Sequence, residues 1–240
     1  MYAERPSRVP GGQIWQSTVA AGEARILPDG CMDMIWDGHE LFVAGPDAVA
    51  YSYDGTPGTR LTGLRFAPGQ APRVLGVPAH ELVNQRVPIQ SLWPPVEVRD
   101  LVDRLGTSRR PDGVLEEVAG ERLAAPDDDE RLVEAILTGA RSGIRISETA
   151  TRVGLSPRQL HRRCLASFGY GAKTLAMILR MHLALGLVEQ GLPLADAAVR
   201  AGYADQPHLA REVKRLAGAP IGGVVSRRRS AGVECGEQID

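Results

Sequence analysis

The sequence contains one pattern twice in its last hundred residues, and this duplication limits the folds available to the chain. The first copy is "ETATRVGLSPRQLHRRCLASFGYG" and the second is "ADAAVRAGYADQPHLAREVKRLAGAP". With one extra residue in the second copy, the aligned pairs are Ala150 with Ala198, Arg152 with Arg200, Gly154 with Gly202, Leu160 with Leu209, Arg162 with Arg211, and Gly169 with Gly218. Two related structural units are therefore expected.

Each copy has the composition of a helix-turn-helix. A small alanine lets two helices cross closely, a glycine four residues later allows the turn, and a leucine in the second helix fills the angle between them. Ser156 is the expected N-cap of the first exposed helix, with Pro157 at its first position, and Asp205 is the expected cap in the second copy. Both second helices should therefore begin cleanly and project their first residues.

A long apolar segment, "KTLAMILRMHLALGLVEQ", separates the two copies. As a helix it would be about 27 Å long at 1.5 Å per residue. One rigid helix of that length can hold two recognition helices roughly one DNA turn, ~34 Å, apart. The spacing therefore fits two helices that enter successive major grooves of one duplex.

Charge is distributed unevenly along the chain. The net charge is −1, but residues 141–229 carry 15 Lys+Arg and 5 Asp+Glu, a net of +10, which leaves 13 and 24, a net of −11, elsewhere. A basic segment of this size suits a phosphate-bearing partner. The three scattered cysteines do not form a disulfide framework or a CxxC zinc site, and no signal peptide or membrane span is evident, so we expect a cytoplasmic protein.

The first 125 residues have a different pattern. Short apolar runs alternate with turn pairs such as Asp29-Gly30, Asp37-Gly38 and Gly45-Pro46, which is typical of strands and hairpins in a barrel or sandwich. Helical periodicity begins near Ser91. We predict an α+β chain with a β-rich, barrel-like regulatory domain with short helices over 1–125, an all-α DNA-binding domain over 127–226 and a disordered tail over 227–240.

The boundary is placed near Pro126, since the acidic run Asp127 to Asp129 suits the first turn of a helix. A metal site is the less favoured interpretation of that run.

These features resemble the AraC-type (arabinose-regulator) transcription factors, whose DNA-binding domain has two helix-turn-helix units joined by a long helix. The resemblance covers about 127–226 and includes both Ala-x-x-x-Gly patterns and Arg180 within the connecting helix. Cys164 and Val213 stand where the family often has phenylalanine, and Gly222-Gly223-Val224 replaces a more usual serine-x-tyrosine ending. The resemblance implies a bacterial, nucleoid-associated, one-component regulator that binds double-stranded DNA, with no cofactor.

By resemblance, six side chains would contact base edges: Arg158, His161, Arg162, Gln206, His208 and Arg211. Arginine can pair with guanine and glutamine with adenine, which agrees with that role. Solvated helix surface and phosphate contact remain alternatives for each. The better phosphate candidates are Arg163, Lys173, Lys214 and Arg215.

No motif identifies an effector for the N-terminal domain. Trp36, Phe66 and Tyr51 could line an apolar effector pocket, although ordinary core is the preferred interpretation. The pairs His39-Glu40 and His80-Glu81 are not expected to bind metal, because neighbouring residues of a strand point to opposite faces. His182 is expected to be structural and Cys164 to be a small buried hydrophobe.

Two other functions were weighed. One class of DNA-repair alkyltransferases joins this type of helix-turn-helix to cysteine chemistry, but Cys31 in "DGCMDM" lacks both a zinc site and a Pro-Cys-His nucleophile, so we expect no enzyme activity. A degenerate helix-turn-helix that binds protein is the other alternative. RNA polymerase is a candidate partner, and monomer and homodimer both remain open.

Overall fold

The computed structural model describes residues 2–124 and 129–231, with side chains described as far as Ser226. Eight strands lie in the N-terminal part: β1 (Tyr2–Pro6), β2 (Gln13–Thr18), β3 (Ala24–Ile26), β4 (Asp33–Trp36), β5 (Leu41–Ala44), β6 (Tyr51–Tyr53), β7 (Arg60–Arg65) and β8 (Arg86–Pro88). Six of them form an antiparallel sheet in the order β1-β2-β7-β4-β5-β8, while β3 and β6 pair separately. The predicted β-rich domain is therefore present.

The sheet is open, which corrects the barrel-like expectation. Strands β1 and β8 lie at opposite edges, and β3 and β6 are only three residues long and form a ribbon of their own. Pro6 ends β1 and Pro88 ends β8. A proline has no N–H with which to extend a ladder, so it suits an edge strand. Turn signals along a sequence predict strands but do not predict whether the outer two strands meet.

Three helices cover one face of the sheet: α1 (Ala71–Leu75), α2 (Pro95–Thr107) and α3 (Pro111–Leu123). The helical periodicity after Ser91 is thus confirmed. Leu64 and Phe66 from the sheet end pack with Leu75, Leu105 and Leu115 from the helices, and all five are at most 2% exposed. Burying five such side chains contributes on the order of 10 kcal/mol before the entropy of ordering the chain is counted.

Within residues 129–231, seven helices form the C-terminal part: α4 (Glu130–Arg141), α5 (Ile146–Arg152), α6 (Pro157–Phe168), α7 (Ala172–Glu189), α8 (Leu194–Arg200), α9 (Gln206–Ala217) and α10 (Ile221–Ala231). Two helix-turn-helix units, α5–α6 and α8–α9, flank the connecting helix α7. Leu175, Ile178 and Leu185 of α7 are fully buried, so this helix is the centre of the domain core.

The proposed boundary at Pro126 lies outside the described residues. The backbone of α10 is helical to Ala231, which lies within the predicted tail of 227–240. Ile221, Val224 and Val225 are buried against the helical core, and this packing offsets the low helix propensity of Gly222 and Gly223. Residues 232–240 lie outside the described part of the chain.

The two parts of the chain pack against each other at the end of α6 and along the connecting helix α7. At α6, the backbone of Gly69 approaches the Phe168 ring, and Gly169 lies against Pro46 and Val83. At α7, the His182 Nε2 atom lies 2.7 Å from the Pro28 carbonyl oxygen, which is a structural contact. The N-terminal domain thus contacts α6 and α7 of the C-terminal part.

No single helix within residues 2–124 and 129–231 is long and apolar enough to cross a membrane.

Candidate nucleic-acid interface

The first helix-turn-helix is built as its sequence requires. Gly154 has φ +68°, a left-handed conformation that glycine adopts without strain, and it turns the chain between α5 and α6. Ser156 caps α6 by accepting from the Gln159 amide, while the Gln159 side chain accepts from the Ser156 amide at 2.9 Å. This reciprocal capping box fixes the direction in which α6 leaves the turn.

Helix α6 has a buried face and an exposed basic face. Leu160 and Cys164 lie on the buried face and are fully buried, which confirms the interpretation of Cys164 as a small buried hydrophobe. Arg158, Arg162 and His161 are exposed on the other side. The His161 ring lies against Gly171, where a Cβ atom would come within 2.9 Å of it. The two arginines, four residues apart, therefore project from one face.

The second helix-turn-helix repeats the design with a different cap. Gly202 has φ +79° in the turn, and the Asp205 carboxylate accepts from the His208 amide at 2.7 Å. Gln206 and Arg211 are exposed, whereas His208 is half-buried. Gln206 and His208 lie in the first turn of α9, and Arg211 lies farther along its exposed side.

The phosphate candidates have different surroundings. All four, Arg163, Lys173, Lys214 and Arg215, are exposed. Arg163 forms an ion pair with Asp129, whose side chain does not cap α4 as the sequence suggested. Arg215 lies 4.0 Å from the Glu212 carboxylate. Arg163 lies within α6, Lys173 lies in the first turn of α7, and Lys214 and Arg215 lie in the last turn of α9.

A contact that sequence analysis missed joins α7 to α9. Arg180 Nη2 donates to both carboxylate oxygens of Glu212, at 2.7 and 2.9 Å, and its guanidinium lies 4.3 Å from the centre of the Tyr203 ring. Glu212 is only 8% exposed and Tyr203 only 4%. Burial raises the pKa of the Tyr203 hydroxyl. An acidic residue inside a basic recognition helix was the available sequence signal.

Two known families match separate parts of the chain. Residues 149–227 match the model of a family described as "Helix-turn-helix domain", and the match spans both helix-turn-helix units and α7. The C-terminal part of the chain is an AraC-type helix-turn-helix domain. It is therefore a DNA-binding domain of transcription regulators. Residues 13–88 match a second family, described as "Domain of unknown function (DUF6597)".

Individual proteins resemble this chain only weakly. No curated protein matches the chain. A 1.65 Å structure of ToxT from Vibrio cholerae is 8% identical, with TM-score 0.48, over 94% of this chain and 98% of that chain. A ToxT structure from Vibrio cholerae strain SCE256, described as bound to unsaturated fatty acid, is 9% identical, with TM-score 0.48, over 93% and 94%.

The three effector-pocket candidates lie in two different surroundings. Trp36 and Phe66 are 6% and 1% exposed and pack into the core between the sheet and its helices. Tyr51 lies on the β3–β6 ribbon, under the guanidinium of Arg86 at 4.0 Å. Tyr51 is therefore not part of the core cluster that holds Trp36 and Phe66.

A cleft of about 890 Å³ lies instead between the N-terminal domain and the first helix-turn-helix. Gly69 and Gln70 line one wall, and Val133, Leu137 and Val153 line the other. Sequence analysis could not find it, because its two walls come from segments of the chain that are far apart in the sequence, one ending at Arg73 and the other beginning at Glu130.

Proposed function

We propose that this protein is a sequence-specific transcription regulator in which both recognition helices of one monomer read adjacent major grooves. The observation that carries the proposal is the matched pair of helices α6 and α9. Each is capped at its start, each exposes basic and amide side chains, and one continuous helix of 18 residues joins them. Such a link fixes the separation of the two readers.

The exposed side chains suit both parts of DNA recognition. Arg158, Arg162 and Arg211 can form paired hydrogen bonds to guanine, and Gln206 can do so to adenine. Lys173 and Lys214 offer positive charge to the backbone on either side. Phosphate contacts would position the domain and base contacts would select the sequence.

The N-terminal domain is proposed to sense a small molecule, which makes the chain a one-component regulator of the bacterial cytoplasm. The cleft supports this, since one wall belongs to the N-terminal domain and the other to α4 and α5. Helix α5 packs under α6 through buried Ala150 and Leu160. A molecule held in the cleft would touch both the sensing domain and the support of the first recognition helix.

Selection of bound sequences from a random duplex pool tests the proposal, with and without a cell metabolite extract. We expect one enriched site with two different half-elements, and an affinity for it that falls steeply with salt as counterions are released. An Arg162→Ala, Arg211→Ala double variant is the control for base reading. Failure of the wild-type protein to enrich any sequence, with no salt-dependent binding to duplex, would favour a protein-interaction role.

A further inference from the structure

We propose that His208 is a specificity-determining donor that offers its Nε2–H to one base in the major groove, and that Tyr203 is the positioning residue that orients it. This inference rests on the proposed function, because it assigns a role within the DNA interface. The inference concerns which nitrogen of the imidazole carries the proton and which contacts fix the orientation of the ring.

The tautomer follows from the hydrogen bond at the other ring nitrogen. His208 Nδ1 accepts from the Ala204 amide at a distance of 3.4 Å. A neutral imidazole that accepts at one nitrogen carries its proton on the other, so the proton lies on Nε2. The Asp205 carboxylate accepts from the His208 amide as well, which holds the backbone of the same residue.

The Tyr203 ring fixes the plane of the imidazole. The two ring centroids are 5.2 Å apart and the planes are nearly perpendicular, at 86°, which is the edge-to-face arrangement that aromatic rings prefer. Tyr203 is 4% exposed, so its ring cannot easily turn away. His208 is held between this ring and the turn, with part of its side chain exposed.

Tyr203 is held from behind by the connecting helix. The Arg180 guanidinium lies 4.3 Å from its ring centre, and Glu212 holds that guanidinium through the Nη2 hydrogen bonds at 2.7 and 2.9 Å. A cation over an aromatic face and a charge-assisted hydrogen bond are both strengthened by burial. The ion pair therefore transmits the rigidity of α7 to the start of α9.

A donor-only nitrogen discriminates between bases. Guanine presents the acceptors N7 and O6 in the major groove and thymine presents O4, whereas cytosine presents the N4 amino donor. His208 should therefore accept guanine, thymine or, through its N7 acceptor, adenine at the position that it reads, and reject cytosine, because two donors would face each other. If the imidazole could also adopt the other tautomer, it would accept a base that presents either a donor or an acceptor.

The test measures base preference at every position of the site selected by the wild-type protein. We expect His208→Ala to relax one position by about 5- to 10-fold, the value of one hydrogen bond, and to leave the other positions unchanged. Tyr203→Leu should relax the same position, whereas Tyr203→Phe, which keeps the ring, should not. A merely structural role for Tyr203 would instead lower affinity for all sequences equally.

The tautomer has its own readout, which does not depend on the stability of the Tyr203→Leu variant. Two-bond ¹⁵N–¹H correlation spectra of the free full-length protein should show His208 protonated at Nε2 only. Protonation at Nδ1, or an equal loss on all sequences for His208→Ala, would overturn the inference. Absence of any base preference in the wild-type protein would instead contradict the proposed function.

Discussion

The backbone amide of Ala50 donates to the carbonyl oxygen of Leu216 across 2.6 Å. Leu216 lies in the last turn of the second recognition helix, where carbonyl groups have no partner within the helix. Arg25 Nη1 donates to the next carbonyl, that of Ala217, at 3.3 Å. The β3–β6 ribbon of the N-terminal domain thus completes the end of a helix that belongs to the DNA-binding domain.

Arg25→Ala should loosen this attachment. Loss of one hydrogen bond from a charged donor to a helix end should lower the free energy of unfolding by about 1 kcal/mol. Arg60→Ala, at an exposed arginine of β7, is the matched control and should have little effect. Urea denaturation of both variants checks the difference, and equal stabilities would show that the Arg25 side chain does not stabilise the end of α9.

Substitutions of base-contacting and of phosphate-contacting residues should affect DNA binding differently. Arg162→Ala and Arg211→Ala are each expected to cost ~1–3 kcal/mol on the selected site and to relax preference within one half-element. Lys214→Ala should weaken binding to all sequences about equally and reduce the salt dependence. Titrations on selected and random duplexes decide the matter, since equal losses for the arginine variants would make them phosphate contacts.

The connecting helix makes the spacing of the half-elements rigid. A monomer should protect an asymmetric site of about 17–20 base pairs, because α6 and α9 carry different side chains and the length of α7 predicts a separation of about one turn, ~10 base pairs. Inserting five base pairs between the half-elements should reduce binding toward the non-specific level, since it rotates one groove to the opposite face. Footprinting provides the measurement, and indifference to the insertion would mean that only one helix-turn-helix engages DNA.

Acid should destabilise the N-terminal domain through Glu116. Burial alone would raise the pKa of this carboxyl, but hydrogen bonds from Arg5, the Arg8 amide and Ser7 lower it from 4.5 to about 2. A depressed pKa contributes stability that is complete above pH 4.5 and is lost as the pH falls toward 2.

Glu116→Gln should therefore lower the free energy of unfolding at pH 7 by about 2 kcal/mol, because it removes a buried acceptor of several donors. Between pH 4.5 and 2 its stability should change less with pH than that of the wild type. Exposed Glu117, replaced by Gln, is the control. Parallel pH profiles of unfolding for wild type and Glu116→Gln would contradict the assignment.

The DNA-binding domain should fold alone. Its core is closed almost entirely by residues of α4 to α10, with Leu27 and Ala48 as the partly buried additions from the N-terminal domain. A fragment of residues 127–231 should give a helical circular dichroism spectrum, bind the selected duplex and melt below the full-length protein. An unfolded spectrum would place the domain boundary elsewhere.

Local sequence signals determined most of the DNA-binding domain. The two turn glycines, the caps Ser156 and Asp205 and the length of α7 act through neighbouring residues, so their effects can be recognised in the sequence. The same is true of the division between buried Leu160 or Leu209 and the exposed arginines, which follows from helical periodicity. The resemblance to AraC-type regulators rests on these local features.

Tertiary packing decided the rest. The open sheet depends on whether distant edge strands meet, and the length of α10 depends on a core that overrides its glycines. The Arg180–Glu212 pair, the ribbon on α9 and the interdomain cleft each join residues more than thirty positions apart. Such contacts depend on how complete helices and strands pack. The composition and periodicity of one segment do not identify the distant segment that it contacts.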